Sequence, residues 1–503
     1  MMELSLAENK KFLIIDSCTE MEYEQMKSSL TKRIEGWRFH PLVKKKVWDG
    51  TISFIKRNKI PAGLWKEVVD VCKQYDLPLG INGVTDIFDK EINEKDFRLW
   101  VSDFFDKHPD FKPREYQIDA AFKILKYRRC LAELATSAGK TLISFMIVAY
   151  LMEVLGKKRI LIVVPNVQLV VQGTGDFEQY NYQSRVPLRI QQIYAGAKIR
   201  KSSNIVIGTF QSLVKKDAEY FEQFDAVMVD ETHKAKAVSI QKIMDKCWHC
   251  DYRFGLSGTI PKRGTVDRLT LMSAMGPLVI QIKAAQLQEE GFISNCKVIQ
   301  LQLEYGTEEQ KDAFWQLSRN YKDRQNLFNL EQNFINQSDK RLDFISKVIG
   351  KANTNSLVLF HKIAYGEKIY NKLRETTDKK IYYVDGSINK DIREEFKHRM
   401  ENNEDVIIVA SYGTFSTGIS IKNIHNIFFT ESFKSEVIIR QSIGRGLRKH
   451  HSKSHVKIYD FVDDFRYTNE GSEWLNYVYR HGIVRRKIYK EEKFPCEVQS
   501  IRF

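Results

Sequence analysis

The chain has 503 residues, 43% of them hydrophobic and 28% charged, enough for about three domains with buried cores. Its 79 Lys/Arg against 64 Asp/Glu give a net charge of +15, which favours a polyanionic partner such as nucleic acid. Seven scattered cysteines argue against a disulfide framework and for a reducing, cytoplasmic compartment; no signal-peptide pattern opens the chain, and no stretch approaches 18 apolar residues, which argues against a membrane.

In chain order, the first element is a small α/β domain over about residues 1–100. Lys27 to Lys66 holds eleven Lys/Arg against two acids, a net +9 of the chain's +15. Trp37, Phe39, Trp48, Phe54 and Trp65 lie within it, and Thr51–Ile55 reads as a strand. Basic side chains interleaved with aromatics suit phosphate contacts plus base stacking or groove wedging, with Lys44, Lys45, Lys46 and Trp48 as candidates. The same pattern also fits core aromatics beneath a solvated basic face. Residues 67–110 turn acidic and helical and are expected to close this domain.

From about residue 101 apolar strands alternate with amphipathic helices, the rhythm of a parallel sheet wrapped in helices. The spacing predicts strands over Leu131–Leu134, Ile160–Val164, Ile205–Gly208, Ala226–Val229 and Tyr252–Leu256. A polar, helix-rich stretch at about 307–345 separates these from a second set: Ser356–Phe360, Lys380–Val384, Val406–Ala410, Asn426–Phe429 and Lys457–Phe461. Two α/β domains, 101–284 and 285–503, are expected. The basic tail from Gly482 is left unassigned. Cys247-Trp-His-Cys250 is the only C-x-x-C, and with no second pair at ligand spacing it does not predict a metal.

The chemistry concentrates at Ala135-Thr136-Ser137-Ala138-Gly139-Lys140-Thr141, a small-residue turn between an apolar strand and a helix. Such a turn lets Ser137, Ala138 and Gly139 wrap backbone N–H groups around a phosphate, with the helix dipole behind them. Lys140 then reaches the β/γ-phosphates and the Thr141 hydroxyl holds Mg²⁺. Leu134 stands where the strict pattern has its first glycine. About 90 residues later Asp230-Glu231-Thr232-His233 ends an apolar strand: Asp230 suits Mg²⁺ through water, and Glu231 suits polarising the attacking water. Ser257-Gly258-Thr259 forms a hydroxyl-rich turn. In the second half, Gln441-Ser-Ile-Gly444-Arg445-Gly446-Leu-Arg448 places two arginines three apart on one expected helical face, suited to a γ-phosphate whose charge spreads in the transition state.

In this order, over about residues 105–465, these stretches resemble the motif set of superfamily 2 helicases and translocases. Phe111-Lys-Pro-Arg114-Glu-Tyr116-Gln117 resembles the adenine-reading Q-type motif, with Gln117 on the base and Arg114 nearby. Residues 135–141 resemble motif I and residues 230–233 motif II in its DExH form. Segments containing Pro165 and Gln168, and Thr209 and Gln211, resemble motifs Ia and Ib, which grip the tracking strand. Ser257 to Thr259 resembles motif III, with His233 and Gln441 as further links between ATP and nucleic acid. His361 falls in motif IV, Thr414 and Gly418 in motif V, and Gln441, Arg445 and Arg448 in motif VI.

The resemblance implies two RecA-like parallel-sheet motor domains in tandem behind the small α/β domain, with ATP and Mg²⁺ as cofactors. With its basic N-terminal domain, the chain is similar to bacteriophage recombination helicases of this superfamily. That likeness implies unwinding, branch migration and annealing of branched and single-stranded DNA, including stalled forks, Holliday junctions and R-loops with their RNA–DNA hybrids. A monomer is the working assumption. The motifs alone leave open an RNA-remodelling enzyme with the same core. A nuclease-system motor would need an acidic nuclease constellation, and none is evident. A nucleic-acid-binding scaffold with a silent ATPase would predict damage at Lys140, Asp230, Glu231 or Arg445, and all four are intact.

Overall fold

The computed structural model describes residues 1–83, 92–197, 202–232, 237–305, 314–316, 327–388, 390–414, 421–469 and 472–502. It divides into two compact units, Met1–Ile282 and Lys283–Phe503.

The first unit begins with a four-stranded sheet. Its strands are β1 (Met2–Leu6), β2 (Phe12–Ser17), β5 (Lys59–Pro61) and β6 (Leu79–Asn82), in the order β5-β2-β1-β6. Between β2 and β5 the chain makes an antiparallel excursion, β3 (Thr31–Arg33) with β4 (Thr51–Ser53), whose tip carries the basic run. The helix Trp65–Gln74 buries Val68, Val71 and Cys72 beneath the small sheet. The helix Glu94–Phe105 packs elsewhere: Phe97 lies 5.0 Å from the ring of Tyr150, and Phe104 lies 5.8 Å from Phe145, both on the helix Lys140–Glu153.

Seven parallel strands form the main sheet of this unit: β7 (Arg129–Leu134), β8 (Ile160–Val164), β9 (Ile190–Ile193), β10 (Ile205–Thr209), β11 (Ala226–Asp230), β12 (Tyr252–Ser257) and β13 (Leu278–Ile282). Their order is β13-β7-β12-β11-β8-β10-β9. All five residues of β8 and of β10 are buried, as sheets covered on both faces require.

One hydrophobic core runs from the small sheet into the main one, joining Met2, Leu13, Leu64 and Val68 to Leu131, Leu269, Leu271 and Met275. At the joint the turn Ala62–Leu64 lies against the helix Val266–Met275. A Cβ on Gly63 would strike the carbonyl oxygen of Met272 and lie 3.0 Å from Ser273 O and 3.1 Å from Gly276 N. The Arg129 guanidinium spans the joint, donating to Lys10 O at 2.6 Å and to Cys250 O at 3.3 Å. The basic domain is therefore built onto the first motor sheet as part of the same body.

The second unit holds another seven-stranded parallel sheet: β14 (Asn295–Glu304), β15 (Ser356–Phe360), β16 (Lys380–Val384), β17 (Val406–Ser411), β18 (Asn426–Phe429), β19 (His455–Asp464) and, after the small hairpin β20 (Tyr467–Asn469) and β21 (Ser472–Trp474), β22 (Cys496–Arg502). The order is β16-β17-β15-β18-β19-β14-β22. All ten strands expected from the alternation are present, and tandem RecA-like sheets behind a small mixed sheet are the architecture. The unassigned tail forms the helix Tyr477–Glu491 and the edge strand β22. Fully buried Arg341 and Arg485 are neutralised by Asp463 and Asp460 of β19, at 2.6 and 2.8 Å. Buried charge is tolerated there because each partner is also hydrogen-bonded.

Candidate active site and nucleic-acid interface

In the first unit the parallel register brings the motif-bearing ends to one edge of the sheet. Glu133 pairs with Ser257, Asp230 with Leu256, and Thr209 with Val164, so the loops after β7, β12, β11, β8 and β10 leave side by side. Carboxyl ends of parallel strands are where α/β folds bind ligands.

The loop after β7 is shaped by two left-handed residues, Ser137 at φ +75° and Gly139 at φ +78°. Glycine at 139 is required twice over: a side chain there would be strained, and its Cβ would strike the Gln117 amide. Gln117 is buried and braces this loop. Its Nε2 donates to Ala138 O at 3.0 Å, and its Oε1 accepts from Arg114 N at 2.9 Å. Tyr116 Oη donates to the same Ala138 carbonyl at 3.1 Å, a contact the sequence did not reveal. The residue expected to read adenine thus also holds the phosphate loop in shape.

Lys140 opens the following helix, and its ammonium lies 3.2 Å from Glu231 Oε1, each side chain 13% exposed. Glu231 itself adopts φ +54°, unusual for a residue with a Cβ, and its N–H donates to Asp230 Oδ1 at 2.9 Å. Thr141 and Asp230 line one small cavity together with Ser144 and Asp176. A hydroxyl and a carboxylate lining one cavity beside a phosphate loop fit the oxygen-ligand chemistry of Mg²⁺.

Ser257 is fully buried and its hydroxyl donates to Thr259 O at 2.7 Å, so motif III forms a closed turn on itself. A Cβ at Gly258 would make only ordinary contact, 3.4 Å from Lys140 Nζ, so the turn does not demand glycine there. The motif Ia and Ib loops are joined directly: Gln211 Nε2 donates to Pro165 O at 3.1 Å. Asn166 caps the helix that carries Gln168, and Thr209 Oγ1 donates to Ser212 Oγ at 3.1 Å. His233 lies outside the described residues.

On the excursion between β3 and β4, Lys44, Lys45 and Lys46 are exposed, as expected. The aromatics divide. Trp65 and Phe54 pack on the core, and Trp48 is half-buried with its Nε1 donating to Thr51 O at 2.9 Å. Trp37 lies under the Arg33 guanidinium at 4.4 Å. The side chains presented to solvent are Phe39, 74% exposed, with Val47 at 72% and Leu42 at 46%. Trp48 therefore braces the tip from within, and Phe39, Leu42 and Val47 form an apolar crown among the lysines.

In the second unit β15 and β17 pair Phe360 with Ser411, which sets motifs IV and V side by side at one sheet edge. His361 is exposed there. Thr414 is buried and takes Ser411 Oγ at 2.8 Å. Gly418 lies outside the described residues. The motif VI helix runs Glu436–Gly446, with Gln441 buried and Arg445 in its last turn. Arg448 is beyond the helix end, which corrects the expectation of one helical face. At the helix end the buried Lys453 ammonium donates to Gly446 O at 2.6 Å, and to Lys422 O and Ile424 O, and thereby fills the role of a C-cap. Gly446 packs so closely that a Cβ would lie 2.7 Å from Ile427 Cδ1. Burial lowers the Lys453 ammonium to about 7, a lysine the motif reading passed over.

Comparison with known proteins agrees with this geometry. Residues 110–262 match the family described as type III restriction enzyme, res subunit, and residues 340–450 match the helicase conserved C-terminal domain. The ATP-dependent DNA helicase UvsW of enterobacteria phage T4 is 32% identical over 501 residues, 96% of each chain. The crystal structure of T4 UvsW superposes with a TM-score of 0.50 at 29% identity, covering 100% of this chain and 99% of that one. The type ISP restriction-modification enzyme LlaBIII bound to DNA shares the fold at a TM-score of 0.57 and 15% identity, over 78% of this chain and 32% of its own.

Proposed function

We infer the activity from one premise: the chain belongs to the superfamily 2 helicases, as an ATP-dependent DNA helicase of the UvsW type. We propose that its substrates are branched DNAs, namely stalled forks, Holliday junctions and R-loops, which it unwinds, branch-migrates and anneals. The observation that carries this reading is the reach of the similarity. It extends through the small basic domain as well as the motor, and that domain shares the motor's core.

In the proposed cycle the loop amides of residues 137–139 cradle the triphosphate, Lys140 exchanges Glu231 for the β/γ-phosphates, and Glu231 so released orients the attacking water. Gln117 and Arg114 take the adenine side. Mg²⁺ held by Thr141 and Asp230 would neutralise charge on the phosphates. Arg445 and Arg448 stabilise the charge that spreads over the transferring γ-phosphoryl group, an effect typically worth about 10³ to 10⁵ in rate. Pro165, Gln168, Thr209 and Gln211 grip one strand from the first unit, and His361 and Thr414 from the second, while Gly418 and Gln441 serve the nucleotide. His233, Ser257, Thr259 and Gln441 relay between nucleotide and strand. The lysine tip, Lys44 to Lys46, engages duplex phosphates at the branch, and Phe39 with its apolar neighbours meets exposed base faces.

The test is the ATPase rate with no nucleic acid, single-stranded DNA, a four-way DNA junction and structured RNA, for the intact protein and for Lys140→Ala. Strong junction stimulation that the variant loses is expected. Stimulation chiefly by RNA would refute the branched-DNA assignment.

A further inference from the structure

Two residues beyond β18 stands Glu431, 1% exposed and assigned no role by the motif reading. Its Oε2 accepts the backbone N–H groups of both His361 and Lys362, the latter at 2.9 Å. Its Oε1 accepts from Asn336 Nδ2 at 2.7 Å, and its main-chain oxygen takes the Tyr412 hydroxyl at 3.5 Å. The carboxylate thus ties the loop after β15 to the helix Leu327–Asn336, and the main chain of the same residue holds the start of motif V. The same helix reaches the loop a second time, through Asn333 Oδ1 to Lys362 Nζ. Four residues after Glu431, Ser435 caps the helix that carries Gln441 and Arg445.

We propose that Glu431 is a positioning residue for the DNA grip: it fixes the His361–Lys362 backbone so that the exposed His361 side chain is presented to the strand. The inference rests on motif IV contacting DNA. The physical case has two parts. His361 and Lys362 directly precede the helix Ile363–Thr376, where N–H groups lack helical partners and an acid is favoured by the helix dipole. A buried carboxylate shared by two amides also fixes the orientation of both, since the carboxylate itself is closed off from water and these donors satisfy it.

The variants separate positioning from mere support. Glutamine at 431 keeps one oxygen for the two amides. Its Nε2 can be met by Asn336 Oδ1, a buried atom with no hydrogen-bond partner, once the Asn336 amide turns over. Glu431→Gln should therefore stay within about twofold of the parent in the junction concentration giving half-maximal ATPase. Glu431→Asp, shorter by one methylene, should raise that concentration about tenfold, the scale of one lost charge-assisted hydrogen bond. The KM for ATP should hold within about twofold. Glu431→Ala should follow Glu431→Asp, and the aspartate variant stands alone if the alanine does not fold. His361→Ala is measured alongside, with a four-way DNA junction as the probe throughout. If His361→Ala leaves the junction constant unchanged, the motif IV premise fails and this inference falls with it. If His361→Ala raises the constant and Glu431→Asp does not, or if Glu431→Gln is as defective as Glu431→Asp, the inference alone is overturned.

Discussion

Replacing Glu231 by glutamine should tighten ATP binding while stopping turnover. The Lys140 ammonium and Glu231 carboxylate lie 3.2 Å apart at 13% exposure each. At an effective dielectric of about 20, Coulomb's law gives the pair a gross attraction of about 5 kcal/mol. Desolvation cancels most of that, leaving about 1–2 kcal/mol net for a partly buried pair. Lys140 must surrender this amount before it can serve the phosphates. Glu231→Gln removes the charge and nearly preserves the shape, so affinity for a non-hydrolysable ATP analogue should rise about 5- to 30-fold. DNA-stimulated phosphate release should fall about 10²-fold or more, because the amide cannot polarise the attacking water. Titration calorimetry with the analogue and Mg²⁺ measures the first quantity, and a coupled phosphate assay the second. An unchanged or weaker binding constant would mean that the Lys140–Glu231 pair is not what nucleotide displaces, and the proposed exchange would be wrong.

Replacing Lys44, Lys45 and Lys46 together by alanine should reduce the slope of log affinity against log salt for a DNA junction by about two to three. An unchanged slope would reduce the lysine tip to a solvated face. Gly63→Val should lower the melting temperature by roughly 2–10 °C, from about 1–3 kcal/mol of overpacking at the joint, whereas Gly175→Ala, where a Cβ meets nothing within 4 Å, should not. A Gly63→Val protein that melts like the parent would contradict the shared core. Burial raises the Glu331 carboxyl from its ordinary value to about 7, outweighing the donors that hold it, Tyr477 N, Val478 N and Asn476 Nδ2. The folded state therefore binds more protons than the unfolded one from about pH 4.5 to 7, and this group's share of stability is lost as pH rises through that window. Denaturant titrations across it should show a fall that Glu331→Gln removes; identical profiles for the two proteins would refute the assignment.

The central strands were legible because parallel sheets covered on both faces leave unbroken apolar runs, as in β8 and β17. What escaped was polar or peripheral. β14 alternates Lys297, Gln300 and Gln302 with its apolar residues, and reads as exposed chain until its partner is known. In the structure Gln300 donates to Asp460 and Gln302 to Asp464 of β19, partners 160 residues away. The sheet-edge strand β9, with Gln191 and Gln192 at its centre, was hidden for the same reason. At the site, Lys140, Asp230 and Glu231 could be named because their spacing reflects local chain geometry. The tip aromatics could not be sorted, since whether Trp48 or Phe39 faces water depends on a hydrogen bond to Thr51 O. Lys453 and Glu431 carry no motif, and only the carbonyls and amides that converge on them mark them out.

The neighbours of β14 set a timetable for synthesis. Val298 to Glu304 pairs on one side with Cys496 to Arg502, and the whole of β14 pairs on the other with His455 to Asp464. On a ribosome adding about 5–20 residues per second, β14 emerges roughly 8 to 30 seconds before either neighbour exists. During that interval its ten-residue edge, with Ile299, Leu301 and Leu303, has no native strand to pair with. A nascent chain stalled before residue 455 is thus a natural client for a ribosome-associated chaperone, while one stalled after residue 282 already holds every strand described in its first unit.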